Sequence, residues 1–323
     1  MSLSKVQSKH IQILRGLAII AVVFIHNTPD GLPQVIIRPF LNFSVGMFLF
    51  LSGLLSSRNS WNPIKRIVKV AVPYAIWTFV YVLLKSWGSL SAIPVNYVKM
   101  LILGNSAAIM YYIFVYCQFT LLIPLIDKLA NSIYKYLGFI VSPVEIILMR
   151  MIPMLTGTEL NFYIETVIHL SCFGWFTYFY LGYLIGNGKI SFKYSNKALV
   201  AMLALSVGVQ MLEGYWFMSF DPGNCGTQLK LSALLCGVIF ALLGLKFINS
   251  EKECKCKLLH ILGNYSFGIY FSHLVIMRLM CMMPWYKNYV IYPINAIVAV
   301  ALAFLFCYIG KKILKKYSWI VAL

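Results

Sequence analysis

Apolar residues run along this chain in long unbroken stretches, and the polar residues collect in the short intervals between them. Stretches near 20 residues match the length of helix that crosses about 30 Å of hydrocarbon. Ten are expected, near 11–28, 39–57, 67–87, 107–126, 136–155, 167–187, 196–213, 229–247, 260–283 and 289–310. No internal repeat, low-complexity tract or linker interrupts them. The expected architecture is therefore all-α: one polytopic membrane domain over 1–323, of about ten transmembrane helices, with no soluble appendage. The first run follows Lys5, Lys9 and His10 as a signal peptide would, yet no A-x-A cleavage site follows it, so it is expected to remain as the first span.

Composition agrees with the pattern. Hydrophobic residues make up 61% of the chain and charged ones 11%, against about 25% charged in soluble proteins, and the mean hydropathy is +0.81. The 21 Tyr and 7 Trp suit the amphipathic belts at the two membrane surfaces and need no cofactor to explain them.

A net charge of +18 would point to nucleic acid only if a soluble basic face carried it, and none is expected. The rule that positive loops stay inside accounts for the same residues. Alternate intervals carry Lys5 and Lys9; Arg58, Lys65, Arg66 and Lys69; Lys128 and Lys135; Lys189, Lys193 and Lys197; Lys246, Lys252, Lys255 and Lys257; and Lys311, Lys312, Lys315 and Lys316. The opposite intervals carry Asp30, Glu159, Glu165, Glu213 and Asp221 with few bases. Both termini are thus expected to be cytoplasmic. Of the eight cysteines only Cys254 and Cys256 are close, and C-x-C without a second ligand pair is not a zinc signature, so no metal is expected.

Chemistry is sought where ionisable groups interrupt apolar runs, because each costs about 2.5 to 3.5 kcal/mol on insertion scales if it faces lipid. In IQILRGLAIIAVVFIHN, Arg15 and His26 are eleven residues apart. At about 100° per residue they fall within about 20° of one helical face and about 16 Å apart along it. The expected orientation puts Arg15 near the cytoplasmic end and His26 near the outer end. Ser52 and Gly53 close the second run, where small residues allow helices to pack closely. Arg66 and Lys69 share a face at i, i+3 and suit either anionic lipid headgroups or a phosphorylated ligand. Glu145 can pair with Arg150 or support His26. Glu165 and His169 share a face at i, i+4. Trp216, Phe217, Asp221 and Asn224 are expected in an outer loop, where aromatic, carboxylate and amide side chains suit sugar faces and hydroxyls but read first as ordinary loop-capping residues. His273, beside Ser266 and Ser272, is either a hydrogen-bonded packing residue or part of the chemistry.

Taken together these stretches resemble the acyltransferase-3 family of bacterial membrane acyltransferases over nearly the whole chain. Arg15 and His26 fit the family's R-x10-H signature, and FLFLSGLL, the VPY at Val72 to Tyr74, FYLGYLIG at 179–186 and LGNYSFGIYFSHL follow in order. The sequence departs from the family at Arg66 and Lys69, which give R-x-x-K for the usual R-x-x-R, and at Met110 and Tyr111, where many members have a bulky ring and His. The resemblance implies a multi-pass protein of the inner membrane that transfers an acyl group, usually acetyl, from cytoplasmic acyl-CoA to a hydroxyl of an extracytoplasmic glycan or lipid-linked saccharide. Acyl-CoA is then a donor substrate, with no permanently bound cofactor. It implies His26 as the catalytic histidine, acting as base or as acyl carrier. Arg15 is the implied arginine for the donor, joined there by Arg66 and Lys69, with Glu145, Ser52 and His273 in support. The resemblance is to the type without a fused soluble domain, so either His26 acts directly on the acceptor or a separate extracytoplasmic protein receives the acyl group. The competing reading is a glycan exporter without acyl transfer, which would more typically carry inverted repeats and midplane carboxylates.

Overall fold

The computed structural model describes residues 3–157, 160–284, 286 and 291–323, and every regular element among them is helical. Glu159, counted above among the loop acids, lies outside the described residues. In chain order the α-helices are α1 (Lys5–Asn27), α2 (Leu32–Ile37), α3 (Phe43–Leu54), α4 (Pro63–Lys85), α5 (Ile93–Leu103), α6 (Tyr111–Ala130), α7 (Val141–Ile146) and α8 (Ile152–Thr156). They continue as α9 (Phe162–Leu170), α10 (Phe176–Gly186), α11 (Asn196–Met218), α12 (Leu231–Ile248), α13 (Lys257–Asn264), α14 (Ser266–Met282) and α15 (Ile294–Leu314). Among the described residues seven runs are long and apolar enough to cross a membrane, or eight if the pair α13 and α14 counts as one broken span.

The expected runs that do not appear as continuous helices have local causes. Over 136–155 the chain forms the end of a 3-10 turn at Lys135–Phe139, then α7, a π-helical stretch at Ile147–Met151 and α8. Pro153 lacks the N–H that would bond the carbonyl four residues earlier, and its ring crowds that carbonyl, so the α-helical ladder cannot run through. The 167–187 run divides between α9 and α10. There the Gln118 amide donates to the Leu170 carbonyl at 2.7 Å and its oxygen accepts from the Cys172 N–H at 2.9 Å, which satisfies backbone groups that the break exposes. The second span begins at Leu32 rather than 39, with Pro33 in its first turn, where a missing N–H costs nothing.

The described residues form two compact units. The first comprises 1–61, 123–160 and 173–264. Its core joins Ile11, Leu14, Ala18 and Ala21 of α1 to Met47, Phe50 and Leu54 of α3, Leu181 of α10 and Ile239 and Leu242 of α12. The α1 members recur at three- and four-residue intervals, which lines them along one stripe. Gly182 and Gly186 of α10 lie so close to α3 that a Cβ on either would overlap the carbonyls of Phe50 and Leu54, and Gly53 meets Phe179 in the same way. The second unit comprises 62–122, 161–172 and 265–323. Aromatic side chains bind its backbone together: Tyr74 donates to the Leu101 carbonyl at 2.7 Å, Tyr81 to that of Phe271 at 2.8 Å, and the Trp77 indole N–H to that of Val321 at 3.1 Å.

Candidate active site on the first helix

Helix α1 is defined at both ends by side chains. Ser4 and Gln7 form a capping box, the Ser4 hydroxyl accepting from the Gln7 N–H at 3.1 Å and the Gln7 side chain accepting from the Ser4 N–H at 3.0 Å. At the other end Asn27 and Thr28 donate to the carbonyls of Val23 and Phe24, at 2.8 and 2.9 Å. His26 therefore sits in a last turn closed by side chains.

On a helical wheel Arg15 and His26 lie roughly a quarter turn from the core stripe, on the flank of α1. Both are half-buried, as that position requires. Arg15 is followed by Gly16, which touches α13: a Cβ on Gly16 would overlap the Leu259 carbonyl, and one on Gly263 the carbonyl of Gln12. Two backbones in direct contact leave the turn that carries Arg15 no freedom to rotate. The start of α1 is tied again by Lys9, whose ammonium lies 2.5 Å from the Glu253 carboxylate, and by buried His10, whose Nε2 accepts from the Cys254 N–H at 3.3 Å. The Lys9 hydrogen bond and charge hold the Glu253 carboxyl below its ordinary range.

The other expected residues divide between the units. Ser52, half-buried on α3 in the first unit, belongs to the turn packed on α10, and its carbonyl accepts from the Ser56 hydroxyl at 2.7 Å. Glu145 of α7, also in the first unit, lies 3.9 Å from Arg150 Nε, close enough for charge attraction but beyond hydrogen-bond length. It borders an apolar cavity of about 550 Å³ lined by Leu137, Ile140, Val144, Leu148 and Phe173. Arg66 and Lys69 stand in the second unit on the first turns of α4, one half-buried and one exposed. That helix is capped by the Asn62 side chain, so two cations add to the positive end of its dipole, an arrangement suited to an anion. His273, fully buried in the second unit, has Nδ1 3.0 Å from the Ile269 carbonyl. A carbonyl can only accept, so Nδ1 carries the proton. In the loop after α11, Asp221 accepts from both the backbone and the side chain of Asn224, which is loop capping.

One group next to His26 escaped the sequence reading. Arg38 Nη2 donates to the Ile25 carbonyl at 3.4 Å, and it comes from the middle of the apolar run LPQVIIRPFLNF. Starting the second span at 39 left Arg38 as a loop charge. Starting it at Leu32 makes it an ionisable residue inside a span, the same signal that singled out Arg15 and His26.

A family model described as an acyltransferase domain, the acyltransferase-3 domain, matches residues 9–312. No curated protein and no solved structure matches the chain.

Proposed function

Because this chain belongs to the acyltransferase-3 family, we propose that it is an inner-membrane O-acyltransferase that carries an acyl group, acetyl first of all, from cytoplasmic acyl-CoA to a hydroxyl of an extracytoplasmic glycan or lipid-linked saccharide. Membrane acyl transfer follows from the family; donor, acyl group and acceptor are our reading. The observation that supports it most is the pairing on α1 of a cation and an imidazole on one flank, in a helix fixed by caps and by backbone contact with α13.

In this reaction the acceptor hydroxyl attacks the thioester carbonyl while His26 takes its proton. The C–O bond forms, the C–S bond breaks, and the proton held by His26 passes to the departing thiolate, giving CoA and the ester. General-base help of this kind is worth about 10² to 10⁴-fold. A neutral imidazole can supply it near pH 7. In the first unit Arg15 offers a planar fork to donor phosphates; taken by itself, the second unit offers an anion the fork of Arg66 and the point charge of exposed Lys69. Ser52 and His273, occupied with packing and a helix carbonyl, serve the scaffold in this scheme, and Glu145 is the charge partner of Arg150. We infer that no separate acceptor protein is required.

The test is transfer of radiolabel from [acetyl-14C]acetyl-CoA to saccharide by the purified, lipid-embedded protein. Label is expected in saccharide with the wild type and not with His26→Ala. Wild-type transfer matched by His26→Ala would overturn the role of His26, and label that reaches saccharide only when a second protein is added would overturn direct transfer. A hydroxylamine-labile label on the wild-type protein itself would replace the base mechanism by an acyl-histidine one.

A further inference from the structure

Gln34, Arg38 and Asn42 recur every four residues along the run Leu32–Leu54, which places them on one side of it. They converge on the backbone of Gly226. A Cβ at Gly226 would lie 2.5 Å from Arg38 Cδ and 2.8 Å from Gln34 Cβ, and the Asn42 amide donates to the Gly226 carbonyl at 3.3 Å. Through Arg38 the same group is joined to the carbonyl of Ile25, the neighbour of His26.

Each member spends part of its hydrogen-bonding capacity on the protein. Gln34 donates to Asp30 at 2.7 Å, and Asn42 donates to Gln210 as well as to Gly226. The remaining atoms are buried and have no hydrogen-bond partner among the described residues: Gln34 Oε1, Arg38 Nε and Asn42 Oδ1. Gln34 is 1% exposed and Asn42 2%. Buried polar atoms are as a rule satisfied, and three orphans around one glycine are not an accident of a single rotamer.

Their chemistry selects the partner. Two are carbonyl oxygens, which need a donor, and the third is an N–H, which needs an acceptor. An anion would serve the N–H and be repelled by the oxygens. A cation would do the reverse, and hydrocarbon would serve none. A hydroxyl both donates and accepts, so the hydroxyls of a sugar can meet either kind of orphan. The charge around the group points the same way: the Arg38 and Lys230 cations are offset by Asp30 and Glu213, leaving no net sign to attract an ion.

From this geometry we propose that Gln34, Arg38 and Asn42, gathered on Gly226 beside the last turn of α1, form the binding site for a neutral polyhydroxylated ring, the saccharide that presents its hydroxyl to His26. The second half of that statement rests on the acyl-transfer reading; the binding site does not.

The test is saturation-transfer NMR on the full-length protein in nanodiscs with glucose and N-acetylglucosamine as neutral probes, and glucuronate and protonated glucosamine as charged ones. Neutral sugars are expected to bind to the wild type. Gln34→Met, close in size but without polar atoms, is expected to weaken them at least tenfold. Gln34→Glu, which keeps an acceptor oxygen and adds a charge, is expected to raise glucosamine binding relative to glucose at least tenfold. Neutral sugars bound equally by wild type and Gln34→Met, no bound sugar at all, preference for glucuronate, or an unchanged glucosamine preference in Gln34→Glu would each overturn the site. Sugar binding that depends on Gln34 in a protein that never transfers label from acetyl-CoA would leave the site standing and remove the acyl-transfer reading.

Discussion

In the proposed reaction two side chains of α1 have separable duties, which kinetics can tell apart. Arg15, assigned there to the donor, is expected to affect KM for acyl-CoA more than the rate at saturation. Loss of one charge-assisted hydrogen bond is worth about 1.5 to 3 kcal/mol, so Arg15→Ala should raise that KM by about 10 to 100-fold with little change in KM for saccharide. An unchanged KM for acyl-CoA in Arg15→Ala would refute the assignment. His26→Ala should instead lower kcat by about 10² to 10⁴-fold at any donor concentration. Both residues were visible in the sequence, because an ionisable group inside an apolar run marks itself. Arg38 gave the same kind of signal but was hidden by a boundary error of seven residues, and Gln34 and Asn42, uncharged, gave none. Their neighbour Gly226 lies almost 190 residues on, which no local pattern could connect.

At the level of elements, the contact of α1 with α13 is the one on which the site's geometry depends. A Cβ on Gly16 or Gly263 meets backbone, not a flexible side chain, so the helices themselves must separate. Gly16→Ala and Gly263→Ala should each destabilise the protein by about 1 to 3 kcal/mol, read as a lower thermal midpoint in detergent, and both should reduce transfer although neither touches substrate. The segment after α12 is fastened to α1 by Lys9 and Glu253 at the surface. Because Lys9 lowers the Glu253 carboxyl below its ordinary value, that fastening is complete above the usual carboxylate range and is lost as pH falls through the lower, folded value. Hydrogen-exchange protection over 249–256, measured against the intrinsic rate at each pH, should fall as the pH falls into that region. Glu253→Gln should show the lower protection already at neutral pH. The reverse case, a helix that the sequence seemed to promise, is 136–155, which begins in a 3-10 turn and in which Pro153 interrupts the α-helical ladder with a π-helical stretch.

For the whole molecule, a charge of +18 held mainly in alternate loops is a field as well as a topology signal. If those loops face the cytoplasm they draw the polyanionic donor toward the membrane. KM for acyl-CoA should then rise between about 0.01 and 0.15 M salt, over which the screening length falls from about 30 to about 8 Å. The rise should be shallower in the Arg66→Ala, Lys69→Ala double variant. A fluorescent protein fused at the C-terminus should fold and fluoresce, as it does only on the cytoplasmic side, and a dark fusion would reverse the orientation. By itself the sequence determined the class of the molecule, its apolar helices and the pair on α1, because hydropathy and helical spacing are properties of neighbouring residues. It determined the family as well, since the motifs that carry the resemblance are local strings. Only the tertiary structure decided which turns are locked, through glycines that bring α1 against α13, and which amide oxygens around Gly226 are buried without a hydrogen bond from the described residues. Those facts concern atoms far apart in the chain, and only folding sets the distances between them.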